Sequence, residues 1–387
     1  MQLASYMEGS NMKKLFIFIR LVVFFTIMFA LIIVLGKVFT PKWKTGTVTT
    51  EGQDFTVRGF YELPKNSIDV LFVGDSGSYK GVSPMEIYEQ TGITSYNYSV
   101  SSARIYMLYY ILKDALNYQK PKVVIIDPLT YFYQNREDEA MGRKSFDYMN
   151  LGKDKIDMIN DPIFNFTLKE KLTYVFPLFR YHSRWNEVSF TNIKRTFGNY
   201  HSISKGYVMS SFLYPNFDEF NYMEPKLTNI EMKEYVKNYL IKILNLCKEN
   251  NIDLIILGVP DSLGWNYNNN YKLHKITEEL GIKYLDLNND SYGLDWMTDT
   301  EDGGSHLNLF GAKKVTNEIT KYLKNNYELE DKRENPNYES WNEDLIKYRK
   351  ARTKKSNELQ SKIDNKKYDE FKNPNKNKKN KNTKDKH

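Results

Sequence analysis

Val70-Leu71-Phe72-Val73-Gly74-Asp75-Ser76 decides how the rest of the chain is read, because an apolar run stops abruptly at Gly-Asp-Ser. Four bulky apolar residues in succession suit a strand buried on both faces, as in a parallel sheet covered by helices. A strand that ends there puts a hydroxyl at the carboxyl edge of the sheet, where open α/β sheets bind their ligands. A nucleophilic serine needs a base within hydrogen-bond reach, and that base can come from a distant part of the chain. His306, in Ser305-His306-Leu307-Asn308 just ahead of a predicted helix, is the candidate. The bland alternative makes Ser76 a strand-to-helix turn residue and Asp75 a helix-capping carboxylate.

Working outward, strand and helix signals alternate, which argues for a parallel α/β sheet. Ile68–Val73, Thr94–Val100, Lys122–Asp127, Ile252–Val259 and Ile282–Leu287 read as strands. Ser83-Pro84-Met85-Glu86 reads as a capping box with proline at the first helical position. Helices are expected over Ala103–Asn117, from a Thr228–Glu231 cap to Asn250, and over Gly311–Asn325 behind an Asn308 cap. The rhythm is lost between Tyr131 and Asn221, which reads as an aromatic, loop-rich insertion over the sheet edge. His182 and Arg184, in Tyr181-His182-Ser183-Arg184-Trp185, either line an acceptor groove or belong to a packed aromatic insertion. His201 and His274 read as isolated loop residues.

Leu15–Gly36 carries one charge, Arg20. About 22 helical residues span ~33 Å, enough to cross a bilayer. Arg20 lies near one end, where it can snorkel to the interface. No small-x-small cleavage site follows, and Trp43 suits an interfacial anchor, so an uncleaved anchor is expected rather than a signal peptide. Basic residues flank the span on both sides and leave its orientation open.

The net charge of +7 is concentrated in one segment. Residues 351–387 hold 13 Lys/Arg against 5 Asp/Glu, which leaves 42 against 43 elsewhere. A near-neutral body argues against nucleic acid as a partner. From Asn373 onward the basic segment has almost no apolar residues and is expected to be a solvated, disordered tail. The single cysteine, Cys247, excludes an internal disulfide and any cysteine-based metal cluster. Five histidines without an HxxxH or HxH pair indicate no metal site.

With Gly74-Asp75-Ser76 and His306 in place, the chain resembles the SGNH (GDSL-type) hydrolase superfamily over roughly residues 67–324. The resemblance implies a flavodoxin-like parallel sheet with helices on both faces and a Ser-His-Asp site. Together with an amino-terminal anchor, Asp302-Gly303-Gly304-Ser305-His306-Leu307-Asn308-Leu309-Phe310-Gly311-Ala312 is similar to certain bacterial envelope proteins. These are the alginate- and cellulose-acetylation proteins and the D-alanyl-lipoteichoic acid assembly protein. That implies a body outside the cell, a polysaccharide or teichoic polymer as substrate, a membrane-bound O-acyltransferase as partner, and no cofactor.

Carried over, Ser76 is the nucleophile and His306 its base. The family's aspartate lies three residues before the histidine, where this chain has Gly303, so Asp302 is taken as the orienting carboxylate, with Glu301 and Asp299 behind it. The family's oxyanion donors are a glycine N–H after the second strand and an asparagine after the third. Here a backbone N–H of Ser101 or Ser102 serves for the first, and Asp127-Pro128-Leu129-Thr130 has no counterpart of the second. A missing donor costs about 10²–10³ in rate; some acyltransferase branches of the family manage without that block, so the resemblance implies acyl transfer rather than vigorous hydrolysis. The expected boundaries are a short segment 1–14, a transmembrane helix 15–38, a linker 39–60, a catalytic domain 61–327 with an insertion at about 131–221, and a polar tail 328–387.

Overall fold

The computed structural model describes residues 2–42, 53–127, 129–132, 139–216, 221–225, 232–289 and 291–369. In chain order they form α1 (Gln2–Phe39), α2 (Gln53–Tyr61), β1 (Val70–Val73), α3 (Ser76–Gly81), α4 (Pro84–Thr91), β2 (Ser95–Asn97), α5 (Ile105–Ala115), β3 (Val123–Ile126) and α6 (Glu139–Phe146). There follow α7 (Lys153–Asn160), α8 (Leu168–Val175), α9 (Leu178–Tyr181), α10 (Phe190–Phe197), α11 (Glu234–Glu249), β4 (Asp253–Gly258), α12 (Tyr267–Leu280), β5 (Lys283–Asp286), α13 (Leu309–Asn326) and α14 (Glu339–Asp364). The chain divides into two units, one of residues 1–42 and 151–199, the other of residues 43–150 and 200–387.

The larger unit is built on a five-stranded parallel sheet in the order β2-β1-β3-β4-β5. This is the flavodoxin-type doubly wound order, whose switch point lies between β1 and β3. Alternation along the strands explains the two helical layers. Val70, Phe72, Val123, Ile125, Ile255 and Leu257 join one core with Ile87 of α4 and with Val315, Ile319 and Leu323 of α13. The alternate residues Leu71, Val73, Val124, Ile126, Leu254 and Ile256 are equally buried. They point to the opposite face, where α5 and α11 pack together. Ser83 caps α4 by accepting from the Glu86 N–H, Pro84 opens the helix, and Gly92 closes it at φ +73°.

The sheet unit takes in more of the chain than its boundaries in the sequence suggest. Within the stretch expected to be a linker, α2 buries Val57 and Phe60, the latter 4.7 Å from the Tyr98 ring. Residues 200–216, expected in the insertion, return to the sheet unit: Asn97 N–H donates to Lys205 O (2.9 Å) and Val208 N–H to Tyr79 O (2.8 Å). Within the expected tail 328–387 the structure places α14, whose polar composition hides a thin apolar stripe: Trp341, Leu345, Tyr348 and Leu359 are buried. Tyr348 shares a hydrogen bond with the Ser83 hydroxyl (2.8 Å), and Arg352 donates to Glu86 and Glu89. Trp43, the Thr228–Glu231 cap and the chain from Glu370 lie outside the described residues.

His201 and His274 are not isolated. His274 belongs to α12, and its Nε2 lies 3.9 Å from Asp286. His201 Nε2 lies 2.6 Å from the buried carboxylate of Asp344, which also receives Lys205 Nζ at 2.5 Å. Asp344→Ala is expected to cost about 3–5 kcal/mol, because it strips a buried ammonium of its carboxylate. The measurement is urea unfolding, with a lower midpoint at an unchanged slope.

In the smaller unit α9 and α10 pack on α1, while α8 packs on α9 and α7 on α8. Over Met12–Phe39 the α1 helix has a mean hydropathy of 2.9 in its most apolar window, none of it buried in the protein. It is the one helix among the described residues long and apolar enough to cross a membrane.

Candidate active site

Three segments at the carboxyl edge of the sheet meet around Ser76. The first is the loop after β1. A Cβ on Gly74 would lie 2.6 Å from Asp127 Cβ and 2.9 Å from Ser78 Cβ, so only glycine allows the chain to turn there. Asp75 is the N-cap of α3, and its carboxylate accepts from the Gly77 N–H (2.8 Å). Asp75 thus fills the capping role of the bland alternative while also fixing the start of the helix that carries Ser76. Ser76 is the first residue of that helix, where the helix itself leaves the N–H without a partner.

The second segment is the loop 299–308. Thr300 and Leu307 form an antiparallel bridge, and the Thr300 hydroxyl both donates to His306 O (3.0 Å) and accepts from the Gly304 N–H (2.8 Å). Gly303 and Gly304 take φ of +87° and +121°, values that favour glycine. The reversal turns Asp302 back onto His306 although it stands four residues before it. Asp302 Oδ1 accepts from the His306 N–H (2.8 Å) and the Ser305 N–H (3.1 Å), and Oδ2 lies 2.5 Å from His306 Nδ1. His306 Nε2 lies 2.7 Å from Ser76 Oγ.

A carboxylate only accepts, so in the neutral imidazole Nδ1–H donates to Asp302 and Nε2 is left to accept from the serine hydroxyl. That is the tautomer a general base requires. Burial alone would lower the His306 pKa, but the hydrogen bond and charge of Asp302 outweigh it and raise it to about 9. Burial opposes ionisation of Asp302 too, and the bonds from His306 still hold its pKa below the usual carboxylate value. The other two carboxylates considered for this role are engaged elsewhere: Asp299 with Lys314 (2.6 Å) and Glu301 with Lys80 (3.0 Å).

The third segment is the Ser99–Ser102 turn. The Val100 N–H donates to Gly74 O (3.0 Å) and holds the turn beside the β1 loop. Ser102 sits at φ +58°, and its N–H has no hydrogen-bond partner among the described residues. A free amide in a strained turn beside a nucleophile can receive developing negative charge.

Two nearby groups escaped the sequence reading. Tyr79, one turn beyond Ser76 on α3, interacts through its hydroxyl with Ser76 and Ser101, and burial raises its pKa well above the ordinary phenol value. Asp261, three residues past β4, accepts from the Leu263 and Gly264 N–H groups and from the Ser305 hydroxyl (3.4 Å). Burial raises its pKa to about 6, against the opposing pull of the Gly264 N–H and His306. Both were open to a sequence signal: Ser-x-x-Tyr at helical spacing, and an acidic residue at the carboxyl edge of another strand.

His182 and Arg184 do not join this cluster through any contact described. They belong to the smaller unit, where Arg184 donates to Phe39 O (2.6 Å) and Glu187 (2.7 Å), and His182 Nδ1 lies 3.2 Å from Phe179 O. Arg184 therefore serves the carboxyl end of α1 by bonding one of the carbonyls a helix leaves unpaired there.

No family model matches the sequence, and no curated protein matches it. Among solved structures, the chain is similar to a candidate acylhydrolase from Bacteroides fragilis (13% identity over 69% of this chain and 92% of that one, TM-score 0.31). It is also similar to a GDSL-like lipase from Bacteroides thetaiotaomicron (10%, 67% and 88%, TM-score 0.32). A third is a candidate GDSL-like lipase from Parabacteroides merdae (12%, 66% and 94%, TM-score 0.27).

Proposed function

We propose that the chain is a serine-dependent acyltransferase held to a membrane by α1, which moves an acyl group, acetyl by preference, onto a hydroxyl of an extracellular polysaccharide or teichoic polymer. The observation that carries this reading is the continuous relay Ser76–His306–Asp302 at the carboxyl edge of the sheet. Ser76 Oγ attacks the acyl carbonyl while His306 Nε2 takes its proton, and Asp302 holds the imidazole and balances its charge. The N–H groups of Ser76 and Ser102 receive the tetrahedral oxyanion, with Ser101 beside them. Collapse returns the proton from His306 to the leaving group and leaves an acyl ester on Ser76. A sugar hydroxyl, deprotonated by the same histidine, then attacks that ester and regenerates the serine.

An esterase that removes acyl groups from such polymers shares every step but the last, where water replaces the sugar. A silent partner that only docks a membrane-bound O-acyltransferase needs no such relay, and the geometry speaks against it. The test uses the full chain in detergent with an activated acetyl ester and candidate polymers. Acetyl delivered to the polymer supports transfer, free acetate at a polymer-independent rate supports the esterase, and no adduct on Ser76 supports the silent partner. The extracellular placement is checked on intact cells with an impermeant maleimide against Lys347→Cys, an exposed site on α14. Labelling only after lysis overturns it.

A further inference from the structure

We infer that α8–α10 form a collar lying in the headgroup layer of a phospholipid membrane with their apolar side chains in its acyl region, anionic lipid being the preferred contact. This rests on reading α1 as a bilayer span. The smaller unit exposes large apolar residues that none of the described residues covers: Leu168 is 74% exposed, Trp185 75%, Phe190 79% and Phe197 65%. Exposed apolar side chains of this size on successive elements mark an interaction site. Its arrangement is periodic. Phe190, Ile193 and Phe197 recur at i, i+3 and i+7 along one face of α10, while Thr196, on another face, is buried with its hydroxyl on Asn192 O (2.8 Å). Leu168 and Leu172 repeat the pattern on α8.

The occupant follows from what this surface is fastened to. Arg184 binds Phe39 O, and a Cβ on Gly36 would sit 3.3 Å from the Leu178 N. The collar therefore grips the carboxyl end of α1, where a spanning helix leaves the hydrocarbon. The Phe176 ring packs edge-on against Phe29 at 5.8 Å. The Met12–Phe39 stretch is about 42 Å long, roughly 12 Å more than a hydrocarbon core, so Phe29 and the Phe176 ring packed on it stand close to the level at which the chain leaves the hydrocarbon. Residues 151–199 carry 8 Lys/Arg against 5 Asp/Glu, which suits anionic headgroups. Trp185 has the amphipathic ring favoured at the membrane interface. Lys194 and Arg195 on α10, and Lys169 and Lys171 on α8, border these apolar residues, as suits a helix lying in the interface plane rather than across it.

The test places single cysteines in the full chain, reconstituted in phosphatidylcholine–phosphatidylglycerol vesicles, and labels them with an environment-sensitive fluorophore. Cys247 is buried, with its thiol pushed up to about 12, and does not compete. Labels at Phe190→Cys, Phe197→Cys and Leu168→Cys should lose most of their fluorescence to doxyl-labelled lipid. Labels at Lys194→Cys and Lys169→Cys should be quenched instead by an aqueous collider. Phe25→Cys, within α1, is the control for the span. If Phe25 is quenched by lipid while the three collar sites respond to the aqueous collider, the collar inference is overturned and the span stands. If the collar sites are shielded from both quenchers, a protein covers them and the inference is equally overturned. If Phe25 is not quenched by lipid, the span and the collar fall together.

Discussion

Ser76→Ala is expected to abolish the acyl-enzyme and lower turnover of an activated acetyl ester by about 10⁴–10⁶, the scale on which removal of a triad member acts. The fold should survive, because among the described residues the side chain of Ser76 bonds to His306 and the Tyr79 hydroxyl, while the helix it opens is capped by Asp75. Intact mass after a brief incubation reads the result: an added acetyl on the wild type and none on the variant. His306→Ala should slow formation of the adduct by a similar factor, and any adduct that forms should persist, since the same histidine activates the second alcohol. An equal acetyl mass on Ser76→Ala would place the nucleophile elsewhere and sink the mechanism.

The second large effect is expected from Asp302→Asn, and its sign depends on pH. In the wild type His306 carries a proton below about 9. Acylation needs the free base, so the rate should rise tenfold per pH unit and level off above that value. At pH 7 about one molecule in a hundred holds the free base. The raised pKa of His306 also adds to stability, in full below the unfolded value near 6.5 and lost as pH climbs through 9. The Asp302→Asn substitution removes the larger of the two charges that oppose the effect of burial, Glu301 being the other, and the histidine should then titrate far below 9, towards its ordinary value near 6.5. The plateau rate should fall by about 10³–10⁴ through loss of orientation and of charge compensation. At pH 7 the variant recovers a larger share of free base, so its deficit there narrows to about 10–10². A rate profile from pH 5 to 10 measures both numbers. An unmoved midpoint would show that Asp302 does not set the titration.

Much of this was legible in residues 70–76 because the constraint there is local. An apolar run ending in Gly-Asp-Ser leaves few alternatives, and the five strands follow from β-branched and apolar stretches that need burial on both faces. Asp302 was legible only through the Gly303-Gly304 pair, whose positive φ values let a carboxylate one residue out of place fold back onto its histidine. The segments that misled are those whose structure is set by partners far away. The α14 helix is mostly polar and charged and holds its place through Trp341, Tyr348 and the ion pairs of Arg352 with Glu86 and Glu89. Periodicity within the segment is too weak to announce it. For His182 and Arg184, residue type left an acceptor groove and a packed aromatic insertion equally open, and the structure gives Arg184 to the end of α1.

The hydrogen bond between Ser83 and Tyr348 joins residues 265 apart in sequence. Ser83 caps the helix that follows the one bearing Ser76, so the neighbourhood of the nucleophile is sealed by a segment made long after it. Closing so large a loop is entropically slow, and contacts of this kind lengthen folding times. During synthesis the serine emerges early, while the contacts of α14 with Ser83 and Glu86 can close only once residues 339–359 have been made. The order of manufacture therefore puts the reactive hydroxyl first and the backing of the helix that follows it last.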